Sequence, residues 1–575
     1  METSNTTNPL VNVEFVDETN YVNPASTDDI VGAVVESVWG VPDTPTVLTS
    51  ESWRSFASLM DSPRVNQSFA TVQRLFDAGA DYVAVVRPSV NEKYLLAVGT
   101  VTGSALTIEA TQHKTDEEDD IPIEESAISD DPTALFAVRY KYPGGVPFKL
   151  TVTPLASSAR KPNDLKDVPL FTMAFYLNGA TAPTESFLVA FTEASAQGES
   201  YFYADVINSS SLYFVASSAV VTKLAPDAIA GISAPGVLEI NETNNEDMFA
   251  DDGSGIFFPA KLTAQDYINA YEKFRDRSQS SVTLLVSTYD PNAAKDTGGT
   301  QKGPEDVYAT ISDIANTRKD CNALIGCPKS LFNNADEATV RDNIRNHFTN
   351  NLNASFMNSL DMFTDAIAAV EKVTVRNKSF FLDGTATWAA RTAVVAKTYK
   401  NRNRLASYLA TGQTSAVLVK SLQFATVVEL MSDYGIGSIY KATTGNYIFS
   451  IRSQYANQSS YFGKMNVMRV TAALLSWLLT DVEYVIHTEV TSDATERLSF
   501  QEQCNTKLGQ MIARGELKSE SFISCGDDIN TDALTQGGEC LNIEAELWFK
   551  KLTERVKIKI TATDSSVTVT DISQE

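Results

Sequence analysis

Three histidines, His113, His347 and His487, are all the imidazole that this 575-residue chain offers. They lie far apart with no flanking ligand pattern, so a histidine-based metal site is not expected. Cys321 and Cys327 are six residues apart, the wrong interval for paired zinc ligands. Gly435-Ile436-Gly437 follows a helical pattern rather than a strand, and Tyr440 stands where a dinucleotide loop needs its third glycine. Gly253-Ser254-Gly255 lacks the remaining positions of a nucleophile elbow, and no GxxxxGK[ST] loop occurs. Lys114 to Asp131 carries Asp116, Glu117, Glu118, Asp119 and Asp120 in a row, but without the glycine-punctuated spacing of a calcium loop. It reads as a solvated loop. No residue pattern calls for catalysis, and no cofactor is expected.

The hydrogen-bonding capacity of the main chain at the two ends remains. Val11, Val13 and Phe15 alternate with Asn12 and Glu14. Val556, Ile558 and Ile560 alternate with Lys557 and Lys559, and a final run follows, Val567-Thr568-Val569-Thr570-Asp571-Ile572. Period-two alternation predicts strands. A terminal strand beside a polar segment leaves an edge open. That edge is closed either within the chain or by lending the strand to a neighbouring subunit's sheet.

Composition narrows the partners. Lys plus Arg is 46 and Asp plus Glu is 72, a formal charge of −26. Such a surface does not coat nucleic acid, which needs a basic face. It suits a protein that stays soluble until its partners arrive. The hydrophobic share of 43% and charged share of 21% are ordinary for a globular chain, long enough for several domains. Met1 to Asn8 is polar, and no signal peptide is expected. The most apolar run, Val470 to Leu479, is too short to span a bilayer. The five cysteines, which include Cys504, Cys525 and Cys540, are too few and odd in number for a disulfide framework. Reduced thiols are expected, with a Cys504–Cys525 or Cys525–Cys540 bridge as the alternative.

Strands are expected at Asp29 to Val38, Tyr82 to Val86, Phe136 to Tyr140, Phe148 to Thr153, Leu170 to Leu177, Ser186 to Phe191, Val282 to Ser287 and Asn322 to Ile325. Helices are expected at Gln67 to Ala78, Pro304 to Arg318, Asp336 to Phe348, Asn358 to Lys372, Ser415 to Ser432, Gly463 to Ile486 and Arg497 to Arg514. A further helix after Thr49 would be capped by Ser50 or Ser52. The alternation is α/β in character.

Several segments, in order, resemble the contractile tail sheath proteins of tailed bacteriophages. Gly32-Ala33-Val34-Val35 through Trp39-Gly40-Val41-Pro42 to Val47-Leu48-Thr49-Ser50 is similar to the family's opening strand, turn and helix. Tyr82 to Arg87, Ala137 to Gly144, Gly198 to Ser211 and Val282 to Leu285 follow. Phe148 to Val152 departs from the family's usual continuation after the Tyr-Pro-Gly turn. The densest likeness is Asp433 to Gly437, Gly445 to Phe449, Met465 to Val470, Arg514 to Glu516 and Cys525 to Thr531.

The resemblance implies a mixed α/β and α+β multidomain fold. It has a split core, a subtilisin-like α/β domain without catalysis, an inserted outer β-rich domain and terminal strand arms. The implied boundaries are 1–27 for the N-terminal arm, 28–98 for the first part of the core, 99–165 for the outer domain, 166–400 for the α/β domain, 401–550 for the C-terminal core and 551–575 for the C-terminal arm. It implies a structural subunit, not an enzyme, which stacks in rings around a tail tube and contracts to drive the tube through the host envelope. Partners would be further copies of itself, the tail tube, and baseplate and terminator proteins, with no nucleic acid and no insertion into a membrane. The subunit would be assembled in the host cytoplasm and reside in the virion tail. Strand exchange would fall to Val11, Val13, Phe15, Val567, Val569 and Ile572. The tube contact is assigned to Arg497, Lys507, Arg514 and Lys518, facing acidic groups, with a solvated helix face as the alternative. The sheath of a secretion or toxin-injection machine is the alternative, and a hydrolase on the α/β domain a further one.

Overall fold

The computed structural model describes residues 28–37, 40–58, 65–88, 93–114, 128, 131–141, 147–156, 165–177, 179–217, 220, 222–241, 262–295, 302–351, 363–454, 460–485, 494–531, 541–550, 557–562 and 567–572. The expected N-terminal arm, with Val11, Val13 and Phe15, lies outside these residues. So do His487, Cys540 and nearly all of the acidic run.

Short, largely apolar central strands cannot face water on either side, and the chain stacks them into one sheet. Its order is Gln413–Thr414, Gly445–Phe449, Ile436–Ala442, Thr364–Ala368, Asn322–Ile325, Leu284–Val286, Ile30–Val34, Tyr82–Val86, Thr46–Thr49. The six strands from Ile436–Ala442 to Tyr82–Val86 run parallel, and antiparallel partners close both edges. A parallel sheet of this kind is covered on both faces. Val31, Ala33, Val83 and Val85 pack with Trp388 and Phe69 on one face. Val34, Ala84 and Val86 pack with Tyr271, Ile311 and Met468 on the other. Gly32 allows close contact, since a Cβ there would lie 2.6 Å from Leu285 Cδ2.

The first described strand, Ile30–Val34, therefore sits mid-sheet, between Tyr82–Val86 and Leu284–Val286. Between these last two, the chain makes an excursion into two four-stranded antiparallel sheets. One is ordered Phe214–Ala216, Ala134–Tyr140, Lys93–Thr102, Ala105–Lys114, and the other Gly236–Glu239, Phe148–Pro154, Phe171–Leu177, Glu185–Val189. Phe148–Pro154 pairs with Phe171–Leu177 along its whole length. The β-rich unit thus runs across the expected boundary between 165 and 166, to Glu239. The α/β sheet in turn draws strands from both expected core parts.

The helix expected over Asn358 to Lys372 is corrected to strand in its described part, from Phe363. Its described part forms Thr364–Ala368 and the start of Val370–Val375. Phe363, Ile367 and Val370 mimic a helical stripe, but Thr364–Ala368 is buried at every position, as a central parallel strand requires. The helix Ser50–Ser58 is capped from Thr49, not from Ser50 or Ser52. Ser52 N–H donates to Thr49 Oγ1 at 3.2 Å, and Thr49 N–H donates to Ser52 Oγ at 2.8 Å. The helix expected over Ser415 to Ser432 forms only as Phe424–Tyr434. Gln67–Asp77 stands as read, with Asn66 Oδ1 accepting from Phe69 N–H at 2.9 Å.

Candidate assembly interface

The C-terminal part is built on two helices, Met465–Val485 and Ala494–Ala513. Val470, Leu474 and Trp477 of the first meet Phe500, Cys504 and Leu508 of the second in a separate apolar cluster. Strand Phe522–Ser524 lies against the second helix, where Asn505 Nδ2 donates to Ile523 O at 2.7 Å. That strand pairs with Glu544–Glu546 in a two-stranded sheet, and among the described strands neither has another partner. Beside it is an apolar recess of about 490 Å3, lined by Leu474, Leu478 and Val482 of the helix and Ile543, Leu547 and Phe549 of the final segment. Phe462 and Trp548 are about half exposed nearby.

The chain then enters a hairpin of Lys557–Ala562 and Val567–Ile572. Its register sets Val567 opposite Ala562, Val569 opposite Ile560 and Ile572 opposite Lys557. The last strand has a partner within its own chain. The hairpin pairs with no other described strand, so it has two open edges.

The four basic residues assigned to a tube contact have partners within the chain. Arg497 is buried and pairs with Asp527. Lys507 Nζ donates to both oxygens of Asp481, at 2.6 and 2.7 Å, and lies 5.7 Å from the centre of the Trp477 ring. Arg514 donates to Glu516 Oε2 at 2.9 Å, and Lys518 lies over the Trp548 ring at 5.8 Å. Arg497 and Lys507 brace the second helix against neighbouring segments, while Arg514 and Lys518 flank its exit.

A constellation that sequence reading missed lies at the turn after helix Thr385–Tyr399. Lys400 adopts a left-handed φ of 47°, ending the helix, and Asn401 N–H returns to Ala396 O at 3.1 Å. Arg402 Nε then donates to Asp29 Oδ1 at 3.3 Å and Nη2 to Asp28 O at 3.0 Å, while its N–H donates to Glu516 Oε1 at 2.9 Å. Asn403 Nδ2 donates to Lys550 O at 3.2 Å, and its Oδ1 accepts from Asn466 Nδ2 at 2.7 Å. Arg469 Nη2 completes the set on Asp29 Oδ2, at 2.6 Å. Burial pulls Arg469 below the usual arginine range, while the Asp29 carboxylate opposes that shift. Asp365 is wholly buried, and burial pushes its carboxyl well up, with the charge of Arg469 opposing. The signal in the sequence was slight, a charged Asn-Arg-Asn-Arg run after a helix.

Elsewhere, His347 is buried against Phe348, and burial holds its imidazole down at about 4. Cys504 and Cys525 are free thiols pushed by burial up to about 12 and about 11. No cluster suited to a metal ion occurs, and no helix is long and apolar enough to cross a membrane, among the described residues.

No protein-family model matches the chain, and no curated protein matches it in sequence. In three dimensions it is similar to a sheath tail protein from Listeria innocua, with a TM-score of 0.50 at 11% identity, over 94% of this chain and 98% of that one. The fold is that of a tail sheath protein. A sheath tail protein from Desulfitobacterium hafniense gives 0.46 at 12% identity, over 96% and 100% of the two chains. The sheath of an extracellular contractile injection system, in its contracted state, gives 0.40 at 13% identity, over 56% and 80%. In this sheath fold, Val467, Met468 and Ala472 of helix Met465–Val485 pack on the α/β sheet, which carries the two-helix unit and the recess.

Proposed function

We propose that the chain is the repeating structural subunit of a contractile phage tail sheath. Copies stack as rings around a tail tube and shorten to drive the tube through the host envelope. The observation that carries this reading is a sheath fold whose last described element is a hairpin with open edges. In an assembled sheath, the hairpin adds to the Glu544–Glu546 edge of a neighbouring copy, beside the apolar recess. Each new main-chain hydrogen bond contributes about 1 kcal/mol net, so several are needed for a firm link. Such head-to-tail contacts build an open helical array. Residues 1–27 serve as the second arm through Val11, Val13 and Phe15.

The proposal extends to a tail tube inside the sheath, with baseplate and terminator proteins at its ends, and to assembly in the host cytoplasm. The energy of contraction comes from new contacts between subunits, as the extended lattice relaxes from a kinetic trap. Arg497, Lys507, Arg514 and Lys518 reach the tube only by sharing or exchanging their present partners.

Deleting Val567 to Glu575 tests the link. The truncated chain should be folded and soluble, and sedimentation should show no polymer. Sheaths formed by the truncated chain would overturn the arm assignment.

A further inference from the structure

Arg402 and Asn403 touch the first described residues and Lys550, and Asn401 ties their turn to the end of helix Thr385–Tyr399. Arg402 holds Asp28 O and the Asp29 carboxylate, the described start of the chain. Asn403 holds Lys550 O, the last described residue before the C-terminal hairpin. The turn is itself fixed on three sides: by the end of helix Thr385–Tyr399, by Glu516 accepting from Arg402 N–H, and by Asn466 of helix Met465–Val485. Arg402, Asn403, Asp29 and Glu516 are all buried. A charged group has no reason to be buried for stability alone, since apolar packing of the same volume serves as well. A planar guanidinium with several donors does, however, join separate segments in one fixed geometry.

We propose that the Asn401–Asn403 turn is a clamp that couples the roots of the two terminal segments, so that load on one end reaches the other without crossing the central sheet. The Asn401–Asn403 route takes a pull on residue 28 through Arg402 and Asn403 to residue 550. The functional meaning of the clamp rests on the reading that the chain ends link subunits. The coupling itself belongs to a single subunit and is measured there.

The test is hydrogen–deuterium exchange on the full-length chain carrying Asn403→Ala, which removes the contact to Lys550 but none to Asp29. With one member of a buried hydrogen-bonded set lost, exchange should quicken about 10-fold at residues 541–550 and also at 28–34. Faster exchange at 541–550 alone, or at neither end, would overturn the clamp. Should Asn403→Ala loosen the whole fold, seen as faster exchange in strand Phe171–Leu177, Arg402→Lys is read in its place. It keeps the charge and loses the fork, and it should loosen both roots while leaving Phe171–Leu177 protected. Loosening confined to 28–34 would again overturn the proposal. If the truncated chain lacking Val567 to Glu575 still polymerised while both roots responded together, the arm assignment would fall and the clamp would stand.

Discussion

Asp29 accepts a 2.6 Å hydrogen bond from Arg469, 440 residues further along the chain. Both groups are buried, and the bond fastens the first strand of the central sheet to the long helix of the C-terminal unit. Asp29→Asn would leave Arg402 and Arg469 buried without their counter-charge. The loss should be about 3–5 kcal/mol, read as a lower urea midpoint. Adding Arg469→Met to Asp29→Asn should restore part of it.

Asp365 sets a pH dependence. Its folded pKa lies above the ordinary aspartate value because burial disfavours the charged form, with Arg469 opposing. The stability tied to its protonated form is therefore complete below the unfolded value near 3.9. It is lost as pH rises through the folded value. Asp365→Asn removes a buried carboxyl that favours its protonated form, and it should raise the melting temperature at pH 8. The gain should shrink towards pH 4. Thermal scans across that range would show it, and a gain independent of pH would refute the assignment.

The Lys507–Asp481 pair offers a clean test of the tube contact. Lys507→Asp alone sets two carboxylates together and should cost about 1 kcal/mol or more of stability. Adding Asp481→Lys restores the attraction within the chain, with the charges exchanged. If Lys507 faces an acidic tube, the double variant should melt like the parent but assemble poorly on tubes. If it serves only the helix pair, assembly on tubes should match the parent.

Copies that each carry a formal −26 repel one another. Raising ionic strength from about 0.01 M to about 0.15 M shortens the screening length from about 30 Å to about 8 Å. Polymerisation, followed by light scattering, should therefore speed up with salt over that range. A steady fall in rate would mean that attractive charge pairs dominate the contact.

Much of the frame was legible in the sequence because its apolar runs are short and flanked by clear signals. Tyr82–Val86, Asn322–Ile325 and Pro304–Arg318 stand at the expected bounds. Thr364–Ala368 was misread because burial on both faces erases the period-two signal, leaving residues that also satisfy a helical stripe. The terminal strand Val567–Ile572 was visible from alternation, but its hairpin register was not, since Asp571 and Ile572 break the pattern. The Asn401–Asn403 turn left almost no trace. Its partners at Asp29, Glu516 and Lys550 come together only after folding, and local spacing does not encode them.

The most direct test of the central claim is negative-stain electron microscopy of the purified full-length protein over a range of salt and concentration. Assembly into long, hollow, striated tubes is the predicted result. Monodisperse subunits under every condition would contradict the account.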